Sequence, residues 1–310
     1  MMPTILLTGR DGQLGFELRR TLAPLARVVA VDIDNVDFCD LEAVRRLVRQ
    51  HEVEVIVNAA AYTAVDRAEN DRDIARRING EVPGVLAEEL KRRGGKLFVH
   101  YSTDYVFSGT ATAPYSEDDA PEPVNAYGES KLYGEQSVQQ AGMPHVIFRT
   151  EWLYATRGKN FLLTILRLAR QGKPLRIISD QIGAPTWARM LAEASAQVIG
   201  RCLDAQAGQA AQWSGIYHLT AAGETTWHGF TEAILRESVR CLRRLQHPTD
   251  WCQAALTSLT SIPGSEYPLP ARRPAYSLLS NDKIARVFGI QLPDWREQLH
   301  MALEGYEFKS

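Results

Sequence analysis

Short runs of β-branched and apolar residues alternate with helical segments through the first half of this chain. Five of these runs have the length of buried strands: residues 4–7, 28–31, 53–57, 96–101 and 146–148. The segments between them have the periodicity of crossover helices: residues 14–22, 41–50, 74–93 and 126–140. Strands joined by helical crossovers pair in parallel with right-handed connections. The alternation therefore predicts an α/β fold built on a doubly wound parallel Rossmann sheet.

The regular alternation ends near residue 150, and the elements that follow are more scattered. They are strand-like residues 175–178 and 215–219, helical segments near 186–203 and 227–245, and a proline-rich stretch over 263–274. The predicted domains are a Rossmann domain over residues 1–150 and a smaller α/β lobe over residues 151–310. We expect elements of the two domains to interleave.

The chain of 310 residues carries 35 basic and 37 acidic side chains. This balance gives no electrostatic reason to expect nucleic acid or an anionic membrane as a partner. The four cysteines lack metal-ligand spacing, which favours free thiols in a reducing compartment. The sequence also shows no signal peptide and no apolar stretch of membrane-spanning length. Together these features predict a cytoplasmic protein.

Three glycines spaced by three follow the first predicted strand and lead directly into a helix. Gly9 would permit a tight turn, Gly12 would let backbone approach a pyrophosphate, and Gly15 would allow close helix packing. The helix N-terminus adds unpaired N–H groups and a positive dipole end. The segment predicts dinucleotide binding, with a plain strand-to-helix turn as the alternative. The predicted cofactor-binding residues of this loop are Gly9, Arg10, Gly12, Gln13, Leu14 and Gly15.

Two charged side chains near this loop favour different cofactors. Asp32 ends the second strand, where a carboxylate could bond a ribose 2′-hydroxyl, which favours NADH. Arg10 lies inside the loop and could pair with a 2′-phosphate, which favours NADPH. The sequence leaves both cofactors open. Further cofactor contacts are predicted at Asp37 and Phe38 and, after the third strand, at Ala59, Ala60, Ala61 and Tyr62, with loop solvation and local packing as alternatives.

Three side chains carry the predicted chemistry. Tyr127 and Lys131 are four residues apart, so one helical turn places both on one face. An adjacent ammonium would stabilise the phenolate and make the phenol a better general acid. Lys131 would also orient the nicotinamide ribose, so Tyr127 and Lys131 are predicted cofactor-binding residues as well. Thr103 follows the fourth strand, where its hydroxyl could bond a carbonyl oxygen. The trio predicts reduction of a carbonyl group; a surface Tyr–Lys contact and a strand-end hydroxyl are the alternatives.

The glycine triplet, residues 102–104 and the Tyr127–Lys131 pair resemble those of an extended short-chain dehydrogenase/reductase. In order and spacing, five strings resemble the dTDP-4-dehydrorhamnose reductase family over nearly the whole chain: residues 58–69, 102–109, 149–154, 180–186 and 273–277. This resemblance implies NADH- or NADPH-dependent reduction of the 4-keto group of dTDP-4-dehydro-β-L-rhamnose to dTDP-β-L-rhamnose. It implies catalytic roles for Thr103, Tyr127 and Lys131.

The resemblance also implies a binding site for a nucleotide sugar. The implied substrate contacts are Thr103, Asp104, Tyr105, Trp152 and Arg273. An indole face suits the C–H side of a pyranose, and a guanidinium suits a diphosphate. Core packing of Trp152, strand-end bonding of Asp104 and Tyr105, and a surface ion pair of Arg273 are the alternatives.

The sequence departs from the family at two places. Some members are described as dimers that hold Mg²⁺ with glutamates; Glu17 matches one such position, whereas the others fall on Arg189 and near Gly305. Because Mg²⁺ needs several oxygen ligands, we predict no metal site. Glu151 stands where the family usually has a small residue, and it would add a carboxylate beside the sugar pocket.

Two other functions stay open. A non-catalytic NADP-binding regulatory subunit is one, since the β subunit of methionine adenosyltransferase resembles the same family and would bind nucleotide without turnover. The other is a different nucleotide-sugar reductase or an epimerase, and an epimerase would return the hydride instead of consuming NAD(P)H. Intact Tyr127 and Lys131 favour an enzyme. For the assembly we predict a monomer or a homodimer.

Overall fold

The computed structural model describes residues 2–204 and 209–308. Its centre is a six-stranded sheet in which each pair of neighbouring strands is parallel. The strands of the described residues are β1 Thr4–Thr8, β2 Arg27–Val31, β3 Val55–Asn58, β4 Leu97–Thr103, β5 His145–Thr150, β6 Leu153–Tyr154, β7 Arg176–Ile178, β8 Ile182–Gly183, β9 Thr186–Trp187, β10 Gly215–His218, β11 Thr225–Thr226 and β12 Thr260–Ile262.

Helices cover both faces of this sheet and build most of the second lobe. They are α1 Gln13–Leu22, α2 Leu41–Arg49, α3 Val65–Ala68, α4 Arg72–Arg76, α5 Val82–Arg92, α6 Ala126–Ala141, α7 Phe161–Arg170, α8 Ala188–Asp204, α9 Trp227–Arg244, α10 Asp250–Thr257, α11 Asp282–Phe288 and α12 Trp295–Glu304. Within the described ranges, none of the helices combines the length and the apolar character needed to cross a membrane.

The spatial order of the main sheet is β2, β1, β3, β4, β5, β10. The order of strands along the chain reverses between β1 and β3. Open α/β sheets bind ligands at such a switch point, outside the carboxyl ends of the strands. The order and the parallel pairing confirm the predicted α/β class with a doubly wound Rossmann sheet.

The two faces of the sheet are buried by different helices. Leu6 and Leu7 of β1 point to opposite faces because successive strand residues alternate. Leu7 belongs to a buried cluster with Leu18 of α1 and Leu191 of α8, whereas Leu6 belongs to a cluster with Leu86 of α5. All five side chains are fully buried. The sheet is therefore a rigid platform, buried on both faces, for the loops at its carboxyl edge.

One strand lies where the sequence pattern did not place it. Residues 215–219 were predicted in the second lobe, but β10 pairs in parallel with β5 and extends the main sheet. The ring of Tyr217 packs edge-on against Phe288 of α11, with ring centres 5.2 Å apart. An apolar run predicts that a strand forms, but its pairing partner is about 70 residues away and is chosen by tertiary packing.

The predicted helix over residues 74–93 is one continuous path with a π-helical turn in its middle. Residues Arg77–Glu81 form this turn between α4 and α5. Pro83 follows it and has no N–H to donate to the preceding turn, which favours a local change in the hydrogen-bond pattern. The turn brings Asn79 against α6, where its side chain donates to the Ser130 hydroxyl at 2.9 Å. The irregularity thus joins this helix to α6.

The second lobe has its own apolar core around Trp187, Phe230 and Trp295. Helices α7, α9, α10 and α12 contribute to this core, and three two-stranded pairs accompany them. The pairs are β6 with β9, β7 with β12, and β8 with β11. A boundary near residue 150 stays a prediction.

Candidate active site

A cavity of about 760 Å³ opens at the carboxyl ends of the main-sheet strands. It is lined by most of the residues that the sequence predicted for the site. These are Gly9, Gly12, Gln13, Leu14, Gly15, Asp32, Phe38, Ala59, Ala60, Ala61, Thr103, Asp104, Tyr105, Tyr127, Lys131 and Trp152. Arg10, Asp37, Tyr62 and Arg273 lie outside this lining. The fold therefore brings the predicted dinucleotide loop and the predicted catalytic trio to one cavity.

The glycine loop is packed so closely that side chains do not fit. Gly9 has φ +75°, and a Cβ there would lie 2.6 Å from the Ala60 nitrogen. A Cβ on Gly15 would lie 1.9 Å from the Gly9 carbonyl oxygen. Gly12 caps α1 without a side-chain hydrogen bond, which leaves N–H groups of the first turn without a side-chain acceptor. A bare helix N-terminus beside a side-chain-free loop fits the pyrophosphate of a dinucleotide.

Replacing Gly15 with alanine should weaken NADPH binding. The new methyl group must displace the Gly9 carbonyl, and overpacking of this kind costs roughly 1–3 kcal/mol, or about fivefold to 150-fold in affinity. Gly200→Ala is the matched control because Gly200 is also helical and its added Cβ would meet Leu25 at an ordinary 3.8 Å. Fluorescence titration with NADPH measures both variants. Equal affinity of G15A and wild type would contradict the assigned role of the loop.

The two charged residues that favour different cofactors are held differently. Asp32 lines the cavity, and its carboxylate accepts hydrogen bonds from the Asp11 and Ile33 N–H groups, both at 2.8 Å. The Arg10 guanidinium donates to Asp34 and Asn35 on the neighbouring loop. Pairing with Asp34 raises the pKa of Arg10, so the cation persists. Arg10 would have to leave these partners to bind a 2′-phosphate.

The other cofactor candidates separate into two groups. Phe38 is buried and lines the cavity, whereas the exposed Asp37 carboxylate accepts from the Cys39 N–H at 2.8 Å. The Tyr62 hydroxyl donates to Asp71 at 2.6 Å, and this bond raises the pKa of Tyr62. The Tyr62 N–H donates to Asn79 at 2.8 Å. Asp37 and Tyr62 therefore bond to neighbouring protein groups and lie outside the lining of the cavity, and their cofactor contacts stay predictions.

Helix α6 presents Tyr127 and Lys131 because its first turn is pinned to the end of β4. The Asn125 side chain caps the helix by accepting from the Gly128 N–H at 2.8 Å. Gly128 lies against the Tyr105 carbonyl, where an added Cβ would approach to 2.1 Å. This contact sets the rings of Tyr105 and Tyr127 edge-to-face with centres 5.7 Å apart. The cap and the glycine together fix the height of Tyr127 above the sheet.

The ionisation of Tyr127 differs from the sequence-based expectation. Lys131 is buried, and its ammonium donates to the Tyr101 carbonyl at 2.6 Å. Burial lowers the pKa of Lys131 to about 8. The pKa of Tyr127 is raised, first by burial and then by the charge of Asp104, while a hydrogen bond with Thr103 acts in the opposite direction. The predicted lowering of the Tyr127 pKa by Lys131 is therefore wrong for this structure, because the ammonium is directed at β4.

Two buried carboxyl groups face the same cavity. Asp104 accepts from the Thr103 hydroxyl at 2.9 Å, and its second oxygen has no partner within the described part of the chain. Burial raises the pKa of Asp104 to about 6. Burial and the charge of Asp104 raise the pKa of Glu151 well above its ordinary value. Because two buried like charges repel, each carboxylate makes ionisation of the other less favourable.

Glu151 also has a structural role that its sequence context did not predict. One of its oxygens accepts from the Ala184 N–H at 2.9 Å, and the other accepts from the Leu279 N–H at 3.2 Å. The Ser277 hydroxyl is 3.4 Å from the first oxygen. Glu151 therefore lines the cavity, as expected for a residue beside the sugar pocket, and it also holds two segments of the second lobe.

A second, apolar cavity of about 540 Å³ adjoins the first at Tyr105, which lines both. The Arg273 guanidinium lies on its wall, 5.9 Å from the centre of the Tyr105 ring. Arg273 also forms an ion pair with Asp66 at 3.0 Å, and its side chain is 16% exposed. Arg273 thus lines this adjoining cavity with its charge paired to Asp66, so the ion pair that was the alternative reading is present.

Trp152 is held by a partner that the sequence did not reveal. Its backbone has φ +44°, and its indole stacks on Trp227 of α9 with ring centres 3.6 Å apart and planes 5° apart. Trp152 lines the first cavity, whereas Trp227 lines the second. The stacked pair therefore forms part of the wall between them. Trp227 is the first residue of α9, and nothing in the sequence around it predicts that it stacks on Trp152.

The loop before α7 supplies further cavity residues that sequence reasoning missed. Gly158, Lys159 and Asn160 line the first cavity. The Asn160 side chain caps α7 by accepting from the Leu163 N–H at 3.0 Å, and it donates to Gln13 at 2.8 Å. The capping asparagine is visible in the sequence, but its bond to a residue 147 positions away is not.

Glu17 pairs with Arg20 at 3.0 Å, and Arg20 also reaches Glu193 at 3.5 Å. Across residues 2–204 and 209–308, no group of three His, Cys, Asp or Glu side chains is arranged to hold a metal ion. The expectation that this chain holds no Mg²⁺ stays a prediction.

A doubly wound parallel sheet whose glycine loop shares a cavity with Thr103, Tyr127 and Lys131 defines an NAD(P)-binding oxidoreductase of the short-chain dehydrogenase/reductase class. The family model described as RmlD substrate binding domain matches residues 2–308, and the chain belongs to this family.

Similar proteins agree with this assignment. A Burkholderia thailandensis protein named dTDP-4-dehydrorhamnose reductase is 50% identical over 292 residues, which cover 94% of this chain and 95% of that protein. The solved dTDP-4-dehydrorhamnose reductase of Clostridium acetobutylicum is similar with a TM-score of 0.85 and 32% identity, covering 97% of this chain and 98% of that one. The Bacillus anthracis enzyme in complex with NADP has a TM-score of 0.84 and 30% identity, covering 97% and 99%.

Proposed function

We propose that this protein is an NADPH- or NADH-dependent reductase that converts the 4-keto group of dTDP-4-dehydro-β-L-rhamnose to the hydroxyl of dTDP-β-L-rhamnose. The observation that carries this proposal is the single cavity shared by the glycine loop and by Thr103, Tyr127 and Lys131. Family membership and relatives named dTDP-4-dehydrorhamnose reductase support the same function.

The glycine loop would hold the cofactor. Gly9, Gly12 and Gly15 leave room for a pyrophosphate at the N-terminus of α1, and Asp32 and Phe38 extend the same lining. When bound, a reduced nicotinamide supplies a hydride to a carbonyl carbon. The solved Bacillus anthracis relative is described as a complex with NADP. Asp32 favours a ribose hydroxyl over a 2′-phosphate, so we keep both NADPH and NADH in the proposal.

Thr103 and Tyr127 would act on the ketone oxygen. Thr103 ends β4 and Tyr127 begins α6, so two different elements aim hydroxyl groups at the same cavity. The Thr103 hydroxyl would polarise a carbonyl by turning its single proton from Asp104, its acceptor at 2.9 Å, to the ketone oxygen. The Tyr127 phenol is protonated at neutral pH because its pKa is raised. Tyr127 is therefore in the correct state to donate a proton.

The second cavity would take the nucleotide part of the substrate. Its apolar walls suit a pyrimidine base, and Arg273 at its rim suits a diphosphate. Tyr105 joins this cavity to the first, and Trp152 offers a flat face beside the catalytic trio. A nucleotide sugar could therefore span from Arg273 to Tyr127.

A related protein marks the alternative in substrate. A Streptomyces antibioticus protein named probable dTDP-4,6-dihydroxy-2-methyloxan-3-one 4-ketoreductase is 37% identical over 298 residues. We propose the rhamnose precursor because the relatives with higher identity carry that name. We also propose a cytoplasmic location, which the four free cysteines support.

The decisive experiment follows NAD(P)H absorbance with purified protein and dTDP-4-dehydro-β-L-rhamnose, and identifies the product sugar by NMR. We expect stoichiometric oxidation of NAD(P)H and formation of dTDP-β-L-rhamnose. An epimerase would instead change the sugar without net NAD(P)H consumption. A regulatory subunit would bind NADPH and leave the sugar unchanged.

A further inference from the structure

A buried chain of hydrogen bonds runs from Lys131 to the strand that begins the glycine loop. Lys131 Nζ lies 3.3 Å from His100 Nε2, and His100 Nδ1 lies 3.1 Å from the Asn58 amide. The other end of that amide lies 2.6 Å from the Thr8 hydroxyl. These four side chains are at most 2% exposed. Thr8 directly precedes Gly9, so the chain joins the catalytic helix to the cofactor loop.

The direction of these bonds depends on one proton. Burial, followed by the charge of Lys131, holds the pKa of His100 well below its ordinary value, so its ring is neutral with one N–H and one lone pair. When the Asn58 NH₂ group faces Nδ1, the imidazole proton must be on Nε2. Lys131 then accepts that hydrogen bond as a neutral amine.

The opposite arrangement uses the same heavy-atom positions. Rotating the Asn58 amide by half a turn presents its oxygen to Nδ1, which then carries the imidazole proton. The Asn58 NH₂ group then faces Thr8, whose hydroxyl oxygen changes from donating to the amide to accepting from it. The lone pair of Nε2 accepts from Lys131, which is an ammonium. The imidazole keeps a single proton in both arrangements, so only Lys131 changes its charge.

We propose that His100 is a positioning residue for Lys131 and that the hydrogen-bond direction through His100 and Asn58 determines whether Lys131 is an ammonium or an amine. This inference rests on the proposed function, in which Lys131 serves the reaction. Thr8 anchors the far end, because its hydroxyl also lies 3.4 Å from the Ala60 N–H beside the glycine loop.

The charged groups around Lys131 do not account for its ionisation without His100. On α6, Tyr127 and Glu135 lie one turn to either side of Lys131, and Glu135 raises the pKa of Lys131. Arg149 of β5 engages both Glu135 oxygens at 2.9 and 2.7 Å. From β4, Tyr101 contributes its carbonyl and Asp104 follows at the strand end, while β3 contributes the uncharged Asn58. His100 is thus the neutral group with two alternative hydrogen-bond directions.

Two variants of similar size test the Nε2 contact. In His100→Gln the amide can occupy the Nε2 position and accept from Lys131, whereas the shorter His100→Asn can occupy only the Nδ1 position. A charge-assisted bond favours the ammonium, so H100N should shift the basic limb of the kcat/KM profile down by about one pH unit, a tenfold loss on that limb. H100Q should keep the limb near its wild-type position. Equal profiles for the two variants would overturn the inference.

A second measurement needs neither substrate nor mutation. We expect the ¹⁵N signals of His100 to change from the Nδ1–H to the Nε2–H tautomer over the same pH range in which the Lys131 Cε signal titrates. A constant tautomer during that titration would overturn the inference. Because this readout is independent of turnover, a protein without reductase activity would refute the proposed function and leave the hydrogen-bond chain to be judged separately.

Discussion

Replacing Tyr127 with phenylalanine should lower kcat by roughly 10²-fold or more, because general acid catalysis contributes on that scale. The change removes only the hydroxyl and leaves a ring of the same size beside Tyr105. The glycine loop and Asp32 are untouched, so NADPH affinity should stay within about twofold of wild type. Steady-state kinetics and fluorescence titration measure the two quantities. Loss of turnover with retained binding would identify Tyr127 as the proton donor.

Tyr133→Phe is the matched control for this experiment. Tyr133 is on the same helix, and its ring packs beneath the Arg76 guanidinium at 4.3 Å, away from the lining of the active-site cavity. Removal of its hydroxyl should leave kcat unchanged. Near-normal turnover of Y127F would refute the assigned role, because the variant lacks only the hydroxyl that is proposed to donate the proton.

Lys131→Met should reduce kcat/KM by roughly 10²-fold or more and should also weaken cofactor binding. Lys131 is the buried cation of the cavity, and methionine keeps the length of the side chain while it removes the charge and every hydrogen bond. Kinetics and NADPH titration measure the loss. Lys91→Met is the matched control, because Lys91 also donates to a backbone carbonyl, that of Ala141, but lies on the outside of the protein.

The thermal stability of K131M tests the burial of Lys131 independently of activity. Burial lowers the pKa of Lys131 from 10.5 to about 8, so the fold disfavours the ammonium. The loss of folding stability from burying this ammonium is complete below about pH 8. Between about pH 8 and 10.5 the unfolded chain keeps the Lys131 proton while the folded chain has released it, so the loss decreases as pH rises. K131M should therefore be more resistant to thermal unfolding than wild type at pH 7, and this advantage should decrease toward pH 10. A pH-independent difference would contradict the buried cation.

The candidate catalytic residues Tyr127 and Lys131 illustrate how much the local sequence can predict. Spacing alone predicted that Tyr127 and Lys131 share one helix face, and the α6 geometry has both lining the cavity. Spacing did not predict that the Lys131 ammonium donates to the Tyr101 carbonyl, 30 positions away. That contact depends on how α6 packs on β4. The pKa of Tyr127 is raised instead of lowered, first by burial and then by the charge of Asp104.

The glycine loop and the second lobe show the same difference between local prediction and tertiary contact. The conformation of the glycine loop can be predicted from the triplet itself. At these positions an added Cβ would meet backbone atoms only a few residues away or in the segment that follows β3, so only glycine fits. The stacking of Trp152 on Trp227 joins positions in different elements of the second lobe. No periodicity in either segment indicates that contact.

By itself, the sequence determined the elements, the parallel Rossmann class and the edge of the sheet that carries the chemistry, because hydrophobic period and turn residues act over a few positions. Only the tertiary structure decided that residues 215–218 extend the main sheet, that Glu151 binds segments near 184 and 279, and that His100 meets Lys131. Those outcomes depend on burial and on partners far apart in the chain, and neither is encoded in local spacing.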